Sequence, residues 1–115
     1  MIIAIPVWQN RVAPLFDTAA NLLVIKNEGN NPERDIINVE SLTLFQRIDL
    51  LKILNVDLFI CGGITKAILE NIRNKSIKVT PFICGDINPI MNAVLQGKDI
   101  KALFSMPGEP EKENE

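Results

Sequence analysis

Histidine is absent from all 115 residues. That removes the general base of serine and cysteine triads, and it removes the imidazole ligands of the common metal sites. Cysteine is scarce. Cys61 and Cys84 are the two present, and their spacing forms no disulfide framework, so a reducing cytoplasm is the expected setting. No apolar run approaches the roughly 20 residues of a membrane span. The opening Ile2-Ile3-Ala4-Ile5 follows no basic leader, so no signal peptide is expected. An excess of one charge is also missing. A formal net charge of −2 gives no electrostatic footprint for nucleic acid or an anionic membrane, and neither is expected as a partner.

What is present suits a globular α/β domain. The hydrophobic fraction of 47% is ordinary, and the length allows one real core. We place the domain at residues 1–106. Residues 107–115 are charged and lack apolar anchors, as a disordered tail would.

Ile2 to Val7 is a continuous apolar run, the pattern of a strand buried on both faces. Leu22 to Ile25 and Ile36 to Val39 read as the next two strands. The turn formers Asn27-Glu28-Gly29-Asn30-Asn31-Pro32 between them predict a hairpin. The period then lengthens. Leu44, Phe45, Ile48, Leu51 and Leu54 recur at helical steps, with Ser41 or Thr43 as N-cap. Leu58 to Cys61 predicts a fourth strand, and Ile64, Ala67, Ile68 and Ile72 the buried face of a second helix. Ile77 to Ile83 reads as the fifth strand, placed at an edge because Pro81 lacks a donor. Asn88 as N-cap and Pro89 at the first helical position open a third helix that Gly97 closes.

Short connections make the early strands antiparallel, and helical crossovers make the later ones parallel. A mixed five-stranded sheet of order 3-2-1-4-5 with three helices meets both demands, which is the ribonuclease H-like arrangement.

The most informative stretch is Asp57-Leu58-Phe59-Ile60-Cys61-Gly62-Gly63-Ile64-Thr65. A short strand ends in a thiol, turns through two glycines and enters a helix. Glycine admits close approach of a ligand to the backbone, and a helix start favours an anion. In open α/β sheets the ligand crevice lies beyond the carboxyl ends of the parallel strands, where connections diverge. That crevice would be lined by Trp8 to Arg11, including Asn10, and by Cys61, Gly62, Gly63 and Thr65, with Cys84 following the neighbouring fifth strand on the same edge. One arginine, a helix start and soft sulfur suit an anionic, sulfur-rich ligand, with Cys61 and Cys84 as candidate metal ligands. Each feature has a plainer alternative: a cysteine as a small core hydrophobe, glycines that only pack helix on sheet, a solvated arginine.

A ribonuclease H-type nuclease needs carboxylates holding two metals near the sheet centre. The first strand carries no acid, and Asp57 opens the fourth at the wrong end. An enzyme is not expected.

With Ile3-Ala4-Ile5-Pro6-Val7, Arg11-Val12-Ala13-Pro14-Leu15-Phe16-Asp17, Cys61-Gly62-Gly63-Ile64 and Ala93-Val94-Leu95-Gln96-Gly97-Lys98 in this order, the chain resembles the dinitrogenase iron-molybdenum cofactor biosynthesis family. The resemblance covers all but the tail. It implies a carrier or chaperone for an iron-molybdenum or other molybdenum-, iron- or copper-sulfide cluster, with a protein partner that gives or receives the cluster. Many members carry His-Phe-Gly where this chain has Leu15-Phe16-Asp17, so a proposed imidazole ligand has no counterpart here. A cofactor-free module that binds a partner is the alternative.

Overall fold

A computed structural model describes residues 1–28 and 32–107. The centre of the turn expected at 27–32, and the tail from residue 108 on, lie outside the described residues. Among the described residues ten elements follow one another: β1 (Ile2–Trp8), β2 (Arg11–Val12), β3 (Asn21–Lys26), β4 (Glu33–Asn38), α1 (Leu44–Ile53), β5 (Leu58–Ile60), α2 (Lys66–Arg73), β6 (Lys78–Thr80), α3 (Ile87–Leu95) and α4 (Ile100–Phe104).

The strands build one mixed sheet whose path is β4-β3-β1-β5-β6, with β2 paired to β1. β1 pairs antiparallel with β3, and β3 with β4; β1–β5 and β5–β6 are parallel. β1 is central because its side chains are apolar on both faces. Ile3, Ile5 and Val7 pack with Leu23, Ile25, Ile87, Ile90 and Met91, which puts α3 against one face. Ala4 packs with Leu22, Val24, Ile48, Leu51, Phe59 and Ile72, which puts α1 and α2 against the other. The period-2 alternation of one strand thus feeds two cores.

β1 changes partners along its length. Ile3 and Ala4 pair with β5, whereas Val7 and Trp8 pair with β2. Pro6 lies at the changeover, where its missing N–H sacrifices no ladder bond; its carbonyl accepts from Ala13 N–H at 2.8 Å. Gln9 and Asn10, at φ 50° and 62°, form the tight turn that folds β2 back beside β1. β2 therefore occupies the edge of β1 that β5 leaves.

Several expectations need correction. The sheet has a sixth strand, β2, too short for periodicity to reveal, and α4 is a fourth helix, begun by Asp99, whose carboxylate accepts from Lys101 and Ala102 N–H. Phe45 does not face the core. It is 66% exposed, because the buried stripe of α1 runs through Arg47, Ile48 and Leu51. Ala67 is likewise exposed on α2. β6 ends at Thr80, so Pro81 follows the edge strand instead of interrupting it. α3 begins at Ile87 with Asp86 as the cap residue, which puts Pro89 third in the helix; first-turn N–H groups have no intrahelical acceptor, so proline is tolerated there. Asn88 instead accepts a hydrogen bond from Arg34 Nη1 at 3.0 Å. Of the two caps offered for α1 it is Thr43 that serves, in a reciprocal capping box with Gln46.

Candidate functional site

The crevice expected between the carboxyl ends of β1 and β5 is occupied by the chain's own first loop. After β2, Ala13 to Phe16 runs alongside the glycine bend, and Leu15 bridges Gly63 in parallel fashion. Gly63 N–H donates to the Pro14 carbonyl at 2.7 Å, and Phe16 N–H donates to the Gly63 carbonyl at 3.2 Å. Gly62 is glycine for want of space: a Cβ there would sit 2.6 Å from the Ala13 carbonyl oxygen and 2.7 Å from that of Pro14. The close approach predicted at this bend is real, but main chain makes it.

Cys61 ends up behind this contact. Its side chain is fully buried with Phe16, Phe59 and Ile72, and burial pushes its thiol up to about 12, with only a weaker opposite pull from the Arg73 charge. A sulfur so placed is a neutral core group in this conformation. The alternative of Cys61 as a small core hydrophobe is the one its surroundings match. Cys84 is half-buried, and its Sγ lies 3.7 Å from the Ser105 carbonyl oxygen. Among the described residues, no group of three or more His, Cys, Asp or Glu side chains is placed to hold a metal ion.

Asn10 and Arg11 belong to a different neighbourhood. Arg11 Nη1 pairs with Asp86 Oδ1 at 3.0 Å, Ile87 N–H donates to the Asn10 carbonyl at 3.0 Å, and Val12 N–H donates to that of Gly85 at 3.0 Å. The hairpin is thereby joined to the start of α3. The sequence-predicted residues thus divide between that start, with Asn10, Arg11 and Cys84, and the glycine bend, with Cys61 to Thr65.

A pocket of about 310 Å³ opens on the solvent side of the bend. Its lining is Leu15, Phe16, Asp17, Leu44, Gly63, Ile64, Thr65 and Ile68. The loop Leu15–Asp17, the bend, the first turn of α2 and the start of α1 each contribute a side. Thr65 is the N-cap of α2, and its hydroxyl oxygen accepts from Ile68 N–H at 3.4 Å. Of the expected residues, Gly63 and Thr65 line this pocket, while Gly62 shapes it from behind. Leu15 and Phe16 were missed as lining, although they sit in the loop that carries the family resemblance. A second apolar hollow of about 340 Å³, lined by Trp8, Pro14, Leu15 and Ala19 among others, lies across the same loop. Trp8 and Leu15 are exposed at 58% and 49%, so the rim joining the hollows is apolar.

The loop itself is held from beneath by Arg47 of α1. Its Nη1 donates to the Phe16 carbonyl at 3.1 Å and to that of Ala19, and its Nε to that of Leu42 at 3.2 Å. Nothing in the sequence marks this role except a charge on the apolar stripe of the helix.

Comparison with known proteins places this geometry in context. The family model described as dinitrogenase iron-molybdenum cofactor matches residues 1–97. The crystal structure of PH0822 is similar at a TM-score of 0.80 and 18% identity, covering 95% of this chain and 96% of that one. MJ0327 from Methanocaldococcus jannaschii is similar at a TM-score of 0.70 and 17% identity, covering 96% and 97%. The apo form of the orange protein from Desulfovibrio gigas is similar at 0.69 and 16%, covering 96% of each chain. At such identities these likenesses speak for the fold. No curated protein matches the chain. Among the described residues, no helix is long and apolar enough to cross a membrane.

Proposed function

The chain belongs to the dinitrogenase iron-molybdenum cofactor family, and from that premise we propose that it binds a metal–sulfur cluster reversibly and passes it to a partner protein. The cluster, an iron-molybdenum species or a related molybdenum-, iron- or copper-sulfide, is cargo and not a resident cofactor. No catalytic step is assigned, and the sheet is read as ribonuclease H-like in arrangement only.

One observation carries the reading. The family's first-loop segment and the glycine bend meet at the Leu15–Gly63 bridge, and the pocket opens where they meet. Its chemistry favours loose holding. Leu15, Phe16, Leu44 and Ile68 offer apolar surface to polarisable sulfide, and the Thr65 hydroxyl can donate a hydrogen bond outward while its oxygen caps α2. Cys61 supplies no thiolate from the closed state; it becomes a ligand only if the Ala13–Asp17 loop lifts. A carrier gains from this, because release then breaks no metal–thiolate bond.

Anaerobic incubation with iron-sulfide, tetrathiomolybdate or a copper-thiomolybdate, followed by desalting and visible spectroscopy, tests the reading. Retained colour in at least one case is expected, and colourless protein in all three defeats it. A second reading, a partner-binding module without cargo, is favoured by the lack of a convergent ligand set among the described residues. Capture of a partner that is indifferent to added cluster would select it.

A further inference from the structure

Arg47 is the one charged side chain that the fold buries among the described residues, at 6% exposure. Its three hydrogen bonds all go to main-chain carbonyls, those of Leu42, Phe16 and Ala19. Among the described residues no carboxylate stands within ion-pair distance of it; the one such pair is Arg11–Asp86. Burying a cation is costly unless dipoles or an anion offset it. Carbonyl dipoles satisfy its Nε and Nη1 donors, yet a full positive charge remains in the interior. Anchoring alone does not call for that charge, since a neutral amide could also donate to Phe16 and Ala19.

The position of the charge suggests its use. Phe16, whose carbonyl Arg47 holds, forms part of the pocket wall. A cation at that depth is screened far less than one in water, so its field reaches the pocket. Among the described residues the lining contributes no cation of its own; its single charged member there is the exposed Asp17. We propose that Arg47 sets the pocket's preference for an anionic occupant, acting from behind the Phe16 backbone as a positioning residue that never touches the cargo. The proposal rests on the cargo reading and narrows it to cargo of net negative charge.

The test is titration of the whole chain with tetrathiomolybdate, a dianion, followed by its visible absorption, in wild type, Arg47→Lys and Arg47→Met. Amide NMR signals of Leu15–Asp17 and Gly63–Thr65 report whether the loop keeps its place. Arg47→Lys keeps the charge and should bind within about threefold of wild type, whereas Arg47→Met should bind about tenfold or more weakly. Should Arg47→Met fail to fold, Arg47→Gln serves as the neutral variant. Equal losses in the lysine and neutral variants, or a neutral variant that binds like wild type, overturn the role of the charge while leaving the carrier standing. A wild-type chain that retains no metal sulfide of any kind overturns the carrier itself, and this proposal with it.

Discussion

Gly63 and Pro14 are joined by a 2.7 Å hydrogen bond, from the glycine N–H to the proline carbonyl, at the point where an open α/β sheet would hold its ligand. The Gly63 N–H, which in an open crevice would face the ligand, is spent on the chain itself. The open space therefore lies further out, in the pocket bounded by Leu15, Thr65 and Ile68.

Gly62→Ala tests how tight that junction is. The added methyl would meet two main-chain oxygens at 2.6 and 2.7 Å, and main chain cannot swing aside as a side-chain tip can. A loss of about 3 kcal/mol is expected, from the overpacking range. The urea midpoint should fall accordingly, and the loop amides from Ala13 to Phe16 should shift. A variant as stable as wild type would mean that the first loop is not packed on the bend.

Cys61 should be silent toward thiol reagents and Cys84 should not. With its thiol pushed up to about 12 and its side chain fully buried, Cys61 offers neither thiolate nor access near neutral pH. Native protein should release about one fast equivalent of thionitrobenzoate per chain and a second only on unfolding; the count rests on the thiolate-and-access rule. Two fast equivalents would show that the loop opens readily and would return Cys61 to the list of ligands.

The same thiol makes stability fall at alkaline pH. Its folded value lies above the unfolded value of 9.0, so the folded state keeps a proton that the unfolded state gives up. The contribution is fully present below pH 9 and is lost as pH rises toward 12. The slope is at most about 1.4 kcal/mol per pH unit for one proton. Urea denaturation at pH 8 and pH 10 should show a steeper decline in wild type than in Cys61→Ala, whose core has nothing to ionise at that position. Parallel declines would locate the alkaline sensitivity elsewhere.

Much of this was legible from the sequence, and the failures have physical causes. The apolar run Ile2 to Val7 announced a central strand because every position but Pro6 is apolar and branched or small, so both faces must be covered. The tertiary role of the first loop was not legible. Arg11 and Val12 make too short a strand for periodicity, and their pairing rests on a turn formed by Gln9 and Asn10, residues that fit a left-handed turn without demanding one. That two-residue strand delivers Ala13 to Phe16 into the crevice, and it is this following segment that fills it and covers Cys61. Arg47 was hidden for a related reason, since a lone arginine in an amphipathic helix ordinarily faces water. Its burial follows from the carbonyls of Phe16 and Ala19, which only the folded loop brings near.

Thr65 has two duties that can be separated. Thr65→Ala removes the acceptor for Ile68 N–H and should cost about 1 kcal/mol of stability, the usual value for an N-cap. It also removes the pocket's side-chain hydroxyl, so retained cluster should drop. Thr65→Ser restores both oxygen functions and should recover both properties. Recovery of stability without recovery of retention would mean that the threonine methyl, and not the hydroxyl, contacts the cargo.

Asp17 gives the sharpest test of what the pocket accepts. It is the charged member of the lining, and it stands where its negative charge opposes an anionic sulfide. Asp17→Asn preserves size and hydrogen-bonding capacity while removing that repulsion. Because the residue is exposed, water and salt screen most of the effect, so the gain in tetrathiomolybdate affinity should be only about two- to threefold near physiological salt. It should grow as salt is lowered, since the screening length increases. A neutral cargo would be indifferent to the substitution. If Asp17→Asn instead weakens binding at every salt concentration, the carboxylate is itself a ligand, and the pocket holds its metal through oxygen and not through the field of a buried arginine.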